Sequence, residues 1–279
     1  MTRDPRTTLA RNDLAARSLE GVVRAETFAE ATTYRVKTSQ TAMLAAASAA
    51  SEQVDQLLFG EIFDALDADD RFVWGQSRRD GYVGWVETAT LSTEIDAPTH
   101  WVKALRTAAF ATPSIKSAVW GWLSLNALVT VTETVDAMAQ VADAGWVPLC
   151  HLAPIGQNYA PPTDTAATFL GAPYVWGGRD SLGLDCSGLI QQALYAAGLS
   201  CPRDADQQAL LGREIDPIDL RRGDLVFWDG HVGMMLDDRR LLHASAHHMA
   251  VAVEPLSEAI ARIAGKGVGQ PTAYRRIAP

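Results

Sequence analysis

The sequence holds only three cysteines in 279 residues, Cys150, Cys186 and Cys201, spaced 36 and 15 apart with no CxxC pair. An odd number at such spacing excludes a disulfide framework and a cysteine-rich zinc site, and a reducing cytoplasm is the expected compartment. Long apolar runs are missing too. The longest small-apolar stretch, residues 42–50, is interrupted by Ser48 and falls well short of the roughly 18 residues that a membrane span needs. The first thirty residues are studded with Arg3, Asp4, Arg6, Arg11, Asp13, Arg17, Glu20, Arg24, Glu26 and Glu30, so no secretory signal is expected. Positive charge is in deficit, 24 Lys and Arg against 33 Asp and Glu for a net −9. That balance argues against gripping a phosphate backbone by bulk charge, and neither nucleic acid nor membrane is an expected partner. The rest, 48% apolar and 20% charged, is ordinary globular usage in a chain long enough for two domains, or three small ones.

The chain divides by pattern. Residues 1–32 read as an Arg/Glu-rich lead-in with a helix over 12–20 whose apolar positions are Leu14, Ala15 and Leu19, and no chemistry is assigned to it. From Thr33 the pattern changes to short β-type runs, 34–36, 57–66, 71–75 and 82–86, separated by turn residues such as Asp69-Asp70 and Asp80-Gly81. A second unit repeats the first. Gly84-Trp85-Val86 recurs as Gly145-Trp146-Val147, and the segment from Leu58 to Phe63 resembles that from Ser124 to Val129. This alignment sets Gly60 opposite Asn126, the two residue types that best tolerate a left-handed backbone. Two copies, 33–91 and 92–153, fit small β-barrels and resemble tandem bacterial SH3-like domains. Pro154, Gly156, Pro161 and Pro162 mark a linker over 154–164, and a third domain occupies 165–279.

That domain carries the chemistry. Gly171-Ala-Pro-Tyr-Val-Trp-Gly-Gly178 leads to Asp185-Cys186-Ser187-Gly188 and then to Leu189, Ile190, Ala193, Leu194, Ala196 and Ala197 at helical spacing, ended by Gly198. Asp185 suits the N-cap and Gly198 the C′ position, which puts Cys186 in the first turn. There the helix dipole favours thiolate. A base is supplied by the strands that follow, 225–228, 231–236 and 241–244, joined by polar turns and bearing His231 and His243. In an antiparallel hairpin the two histidines share a face only if the pairing sum is even; an odd sum separates them, and a Cys–His–polar triad requires the even case.

At this point the sequence resembles a known family. Tyr174-Val-Trp-Gly-Gly178, Asp185-Cys-Ser-Gly188, Pro202-Arg-Asp204, Arg222-Gly-Asp-Leu225, His231-Val-Gly233 and Leu242-His-Ala244 occur in the order seen in NlpC/P60 cell-wall cysteine peptidases. The resemblance implies an α+β fold, a papain-like NlpC-type catalytic domain preceded by two small all-β SH3-like barrels. It implies Cys186 as nucleophile, His231 as general base and acid, His243 as the group orienting His231, and Tyr174 beside the oxyanion. Asp185 and Ser187 match positions that line the substrate pocket, Asp185 suited to a free amine. In the first β unit Glu52 and Tyr82 match positions that grip the amine end of the peptide in cytoplasmic relatives; Glu61 is the alternative carboxylate. The implied activity is hydrolysis of the γ-D-glutamyl-L-diamino acid bond in murein peptides with a free L-Ala, during recycling in the cytoplasm. Either lysine or diaminopimelate can follow D-Glu on this reading, and no cofactor or metal is called for.

Other readings stand beside these. A secreted wall hydrolase or lysin is the alternative enzyme, and a wall-peptide binder with an inactive peptidase domain is the alternative class. Trp176 reads as a core aromatic, Arg203 with Asp204 as a structural ion pair, His247-His248 as a polar loop, and Cys150 and Cys201 as inert thiols. Ala205 stands where many family members carry a substrate-binding serine.

Overall fold

The backbone at Gly60 and Asn126 turns through the left-handed region, with φ of 81° and 68°, in the computed structural model, which describes residues 3–157 and 160–277. The surrounding bonds match as well. Gly60 N–H donates to Val36 O and Glu61 N–H to Leu58 O, while Asn126 N–H donates to Val102 O and Ala127 N–H to Ser124 O. Each copy then ends alike, a 3₁₀ turn at Thr88–Thr90 or Leu149–His151 feeding a short strand at Leu91 or Leu152. The repeat read from two residue types is therefore a repeat of backbone.

Two compact units are formed, Met1–Gln157 and Asn158–Pro279. In the first, a seven-stranded antiparallel sheet runs in the order Gln53–Leu58, Gln40–Leu44, Val83–Glu87, Phe72–Ser77, Ile62–Ala68, Thr32–Val36, Leu91–Ser92. It closes over Val36, Met43, Leu57, Phe63, Val73, Tyr82 and Val86. The second barrel combines a five-stranded and a three-stranded sheet around Val102, Leu123, Val129, Val141, Val147 and Leu152. Phe59 of the first barrel belongs to that second core, and its carbonyl accepts from Leu128 N–H at 2.9 Å. A Cβ on Gly60 would lie 1.9 Å from Leu128 O, so glycine serves the close approach of the barrels as well as the turn.

Among its described residues the lead-in forms no α-helix. Leu14–Ala16 pairs in parallel with Thr27–Ala29, followed by one 3₁₀ turn at Arg17–Leu19. Three apolar positions give a nine-residue helix little to bury, and tertiary pairing wins over propensity. Arg11 fastens the segment to the first barrel, its guanidinium 4.4 Å above the Trp74 ring and 2.6 Å from Asp67. The run 57–66 likewise breaks in two at the Gly60 turn.

In the second unit six antiparallel strands are ordered Arg213–Glu214, Ala273–Arg276, Leu225–Trp228, His231–Met235, Arg240–Ser245, Ala250–Pro255. The helix Cys186–Tyr195, buried along its whole length, lies on the strands His231–Met235 and Arg240–Ser245. No helix among the described residues is long and apolar enough to cross a membrane.

Candidate active site

Asp185 caps the helix, its Oδ1 accepting from Gly188 N–H at 2.8 Å, and Cys186 is the first helical residue, only 6% exposed. Gly188 lets the helix start against the preceding loop, for a Cβ there would meet Gly178 O at 2.2 Å. The neighbouring hairpin pairs Met234 with Leu242 and Met235 with Leu241. That sum is even, so His231 and His243 share a face. His231 Nε2 stands 2.8 Å from His243 Nδ1, which leaves His231 Nδ1 for a proton from elsewhere. The backbone of Val232, next in chain to His231, acts on the Cys186 thiol and favours its anion, which sets the thiol by the start of the His231 strand.

Burial dominates the electrostatics. It pushes the Cys186 thiol up to about 12, aided by the Asp185 charge and only partly offset by the Val232 and Ser187 amides and by Arg203. The helix-dipole expectation of a ready thiolate is thus corrected: desolvation of the anion outweighs the first-turn amides. His231 reaches solvent at one edge while its ring is ringed by protein, and desolvation first, then His243 and Arg262, hold it down at about 3. His243 is 0% exposed and held at about 3 by burial, then by Arg262 and its neighbours His248 and His247. Burial thus favours the uncharged forms of the thiol and of both imidazoles.

A consequence for stability follows from linkage. Both histidines have folded values below the ordinary 6.5, so their contribution is complete above pH 6.5 and is lost as pH falls toward 3. Each proton taken up only by the unfolded chain costs on the order of 1.4 kcal/mol per pH unit. Urea titrations of wild type and His243→Gln should therefore converge as pH drops from 7 to 5; parallel curves would contradict the buried neutral pair.

Asp185 is saturated. Oδ1 accepts from Gly188 N–H, from Ser187 Oγ–H at 3.2 Å and from Arg203 Nη1 at 3.1 Å; Oδ2 accepts from Gly177 N–H at 2.8 Å and Arg203 Nη2 at 2.5 Å. Arg203 also donates to Ser187 Oγ at 2.7 Å and is 1% exposed. Arg203 thus pairs with Asp185, and Asp204 forms a capping box with Gln207 at the helix Ala205–Gln208. A substrate ammonium could reach Asp185 only by displacing one of these donors. Tyr174 is half-buried, and burial together with the Cys186 and Asp185 charges lifts its hydroxyl above the ordinary range, so it remains a donor. Trp176 is 58% exposed, not a core aromatic, because it sits on the turn before the buried Gly177-Gly178 pair.

Glu52 and Tyr82 lie in the other unit. Glu52 is exposed, whereas Tyr82 is a core residue of the first barrel. Glu61 is 1% exposed and accepts from Leu58 N–H at 3.1 Å, a turn-stabilising carboxylate. None of the three cysteines is in a disulfide, and Cys150 is exposed and Cys201 buried.

Two residues carried by no motif complete the cluster. Glu254 Oε1 lies 2.8 Å from His243 Nε2 and 3.5 Å from His248 Nε2, and Arg262 donates to the same oxygen. His243, His248 and Glu254 could meet a metal ion by distance, but a dication there would have to displace the Arg262 guanidinium. One signal for Glu254 was present: a lone carboxylate in the apolar strand Ala250–Pro255.

Comparison with known proteins settles the class. Residues 171–264 match the NlpC/P60 family and residues 43–91 the bacterial dipeptidyl-peptidase SH3 domain. A Bacillus subtilis protein named gamma-D-glutamyl-L-lysine dipeptidyl-peptidase is 31% identical over 200 residues, 66% of this chain and 68% of that protein. The chain belongs to the NlpC/P60 family. It is therefore a cysteine peptidase with an SH3-like amino-terminal region. Dipeptidyl-peptidase 6 of Lysinibacillus sphaericus is 38% identical over 95 residues, 34% of this chain and 35% of that protein. The crystal structure of an NlpC/P60 family protein from Bacillus cereus superposes with a TM-score of 0.76 at 20% identity, covering 89% of this chain and all of the other. That likeness is one of fold.

Proposed function

We propose that this peptidase hydrolyses the γ-D-glutamyl-L-diamino acid bond of murein peptides bearing a free amino-terminal L-Ala, releasing a dipeptide. The observation that carries the chemistry is Cys186 at the first turn of a buried helix packed on the strands that hold the His231–His243 pair, 2.8 Å apart; the substrate class rests on the Bacillus subtilis relative's name. As the sulfur attacks the γ-amide carbonyl carbon, the thiol proton passes to His231 Nδ1. His231 then returns that proton to the leaving amine as the C–N bond breaks. The oxyanion of the tetrahedral intermediate is met by the Cys186 amide and the Tyr174 hydroxyl, each a donor worth several kcal/mol, of order 3, where water is excluded. Water hydrolyses the thioester. Because burial favours the neutral thiol and imidazole, proton transfer accompanies attack in this scheme rather than preceding it.

Asp185 acts in this scheme chiefly by fixing the helix that presents Cys186, with Arg203 and Ser187 as its partners. Three cysteines in no disulfide, one exposed, suit a reducing compartment, which supports the proposal that the setting is recycling of released murein peptides in the cytoplasm. A dipeptide-releasing enzyme measures its substrate from the amine. Losing a charged hydrogen bond costs about 1.5–3 kcal/mol, so N-acetylation of L-Ala-γ-D-Glu-L-Lys should lower kcat/KM by about ten- to a hundred-fold. Equal rates on free and acetylated peptide would overturn recognition of the amine and leave a general wall endopeptidase.

A further inference from the structure

The strand after that of His243 and the helix after it supply a half-buried ion pair that none of the family motifs contains. His243 on Arg240–Ser245 is paired with Ala252, and Leu241 with Glu254, so Glu254 lies on the His243 face two residues along. Its Oε1 comes within 2.8 Å of His243 Nε2, too bent an approach for an aligned hydrogen bond, and the Arg262 guanidinium, from the helix Leu256–Gly265, binds the same oxygen. Glu254 and Arg262 are 10% and 19% exposed at their side chains.

We infer that Glu254, with Arg262 as its counterion, is a positioning residue for proton transfer at the His231–His243 pair; the inference rests on the roles proposed above for Cys186 and His231. Two effects are combined. The negative charge of a carboxylate oxygen 2.8 Å from Nε2 favours a proton over a lone pair there, so the His243 proton sits on Nε2 and Nδ1 is the acceptor. His231 must then donate Nε2–H to it, which leaves His231 Nδ1 with the lone pair that takes the thiol proton. The second effect is charge. When the proton moves, a positive charge develops on His231, on which His243, Arg262, Glu254 and Asp185 act, while His247 and His248 act on His243. Arg262 opposes that charge and Glu254 favours it. Glu254 thus cancels a cation that would otherwise close the route for the proton.

The test is a charge cycle read in kinetics. Glu254→Gln exposes the pair to an uncompensated Arg262, and kcat should fall by about ten-fold or more with KM changed less than about two-fold, since one pKa unit of lost imidazolium stability is a factor of ten in proton affinity. Removing the cation as well, in Glu254→Gln with Arg262→Gln, should restore kcat to within about three-fold of wild type. Arg262→Gln alone should move the acid limb of the kcat/KM profile to higher pH by about one unit, because removing a nearby cation raises the histidine. A merely structural ion pair predicts the reverse: each variant impaired, the double no better than Glu254→Gln, and no movement of the limb. That pattern overturns the proposal, as does full activity in Glu254→Gln. If Glu254→Gln does not fold, the Arg262→Gln profile decides. Cys186→Ala run alongside separates the levels: turnover in it sinks the nucleophile assignment, whereas an inert Cys186→Ala with an unaffected Glu254→Gln sinks only this inference.

Discussion

Cys186→Ala is expected to yield a folded protein whose peptide hydrolysis is down by at least about 10³-fold, the loss seen when a nucleophile that acts as a unit with its base is removed. The side chain lost is a single sulfur at the first turn of a helix, and alanine keeps both the helix propensity and the small volume. Asp185 still caps Gly188 N–H, so the melting transition should barely move. Neither remaining thiol stands at the first turn of an α-helix as Cys186 does; Cys150 is exposed in a 3₁₀ turn, and Cys201 is buried with its carbonyl accepting from the Tyr195 hydroxyl. Hydrolysis above a tenth of wild type, with native circular dichroism, would remove Cys186 from the mechanism.

The second large effect is on stability. Arg203→Met is expected to cost about 3–5 kcal/mol, because it strands the Asp185 carboxylate without its cation in a site 5% exposed. The pair is bidentate, at 2.5 and 3.1 Å, and Ser187 Oγ loses its donor at the same time. Neutralising the partner too, in Asp185→Asn with Arg203→Met, should recover part of the loss, since the uncompensated charge is what the single variant suffers. Urea denaturation checks both. A cost under about 1 kcal/mol for Arg203→Met would mean that the carboxylate finds another partner or water, and that the nucleophile helix is not held by this pair.

Local signals in the sequence were good guides where the physics is local. An N-cap residue before a helical spacing, a glycine or asparagine at a left-handed turn, and two histidines flanking a tight hairpin each depend on a few neighbours, and Asp185, Gly60, Asn126, His231 and His243 sit accordingly. The hairpin's register was open in the sequence, because parity depends on which residues the turn 236–240 leaves unpaired. The readings that failed depended on distant partners. Arg203 reads in sequence beside Asp204, and its bidentate partner Asp185 lies eighteen positions away. The lead-in had a helical spacing but found a parallel strand partner at Thr27–Ala29. Cys186 had the helix dipole in its favour, yet the depth at which the helix is set decides its proton affinity. Glu254 and Arg262 belong to no motif, because their contact is made by one strand pairing and one helical turn together.

The most direct measurement incubates the purified protein with L-Ala-γ-D-Glu-L-Lys and with its diaminopimelate counterpart and identifies the products by mass spectrometry. Cleavage is expected at the γ-D-glutamyl bond alone, giving the L-Ala-D-Glu dipeptide and the free diamino acid from at least one of the two, and none with Cys186→Ala. Release of free L-Ala, or no cleavage of either peptide by folded protein, would contradict the account.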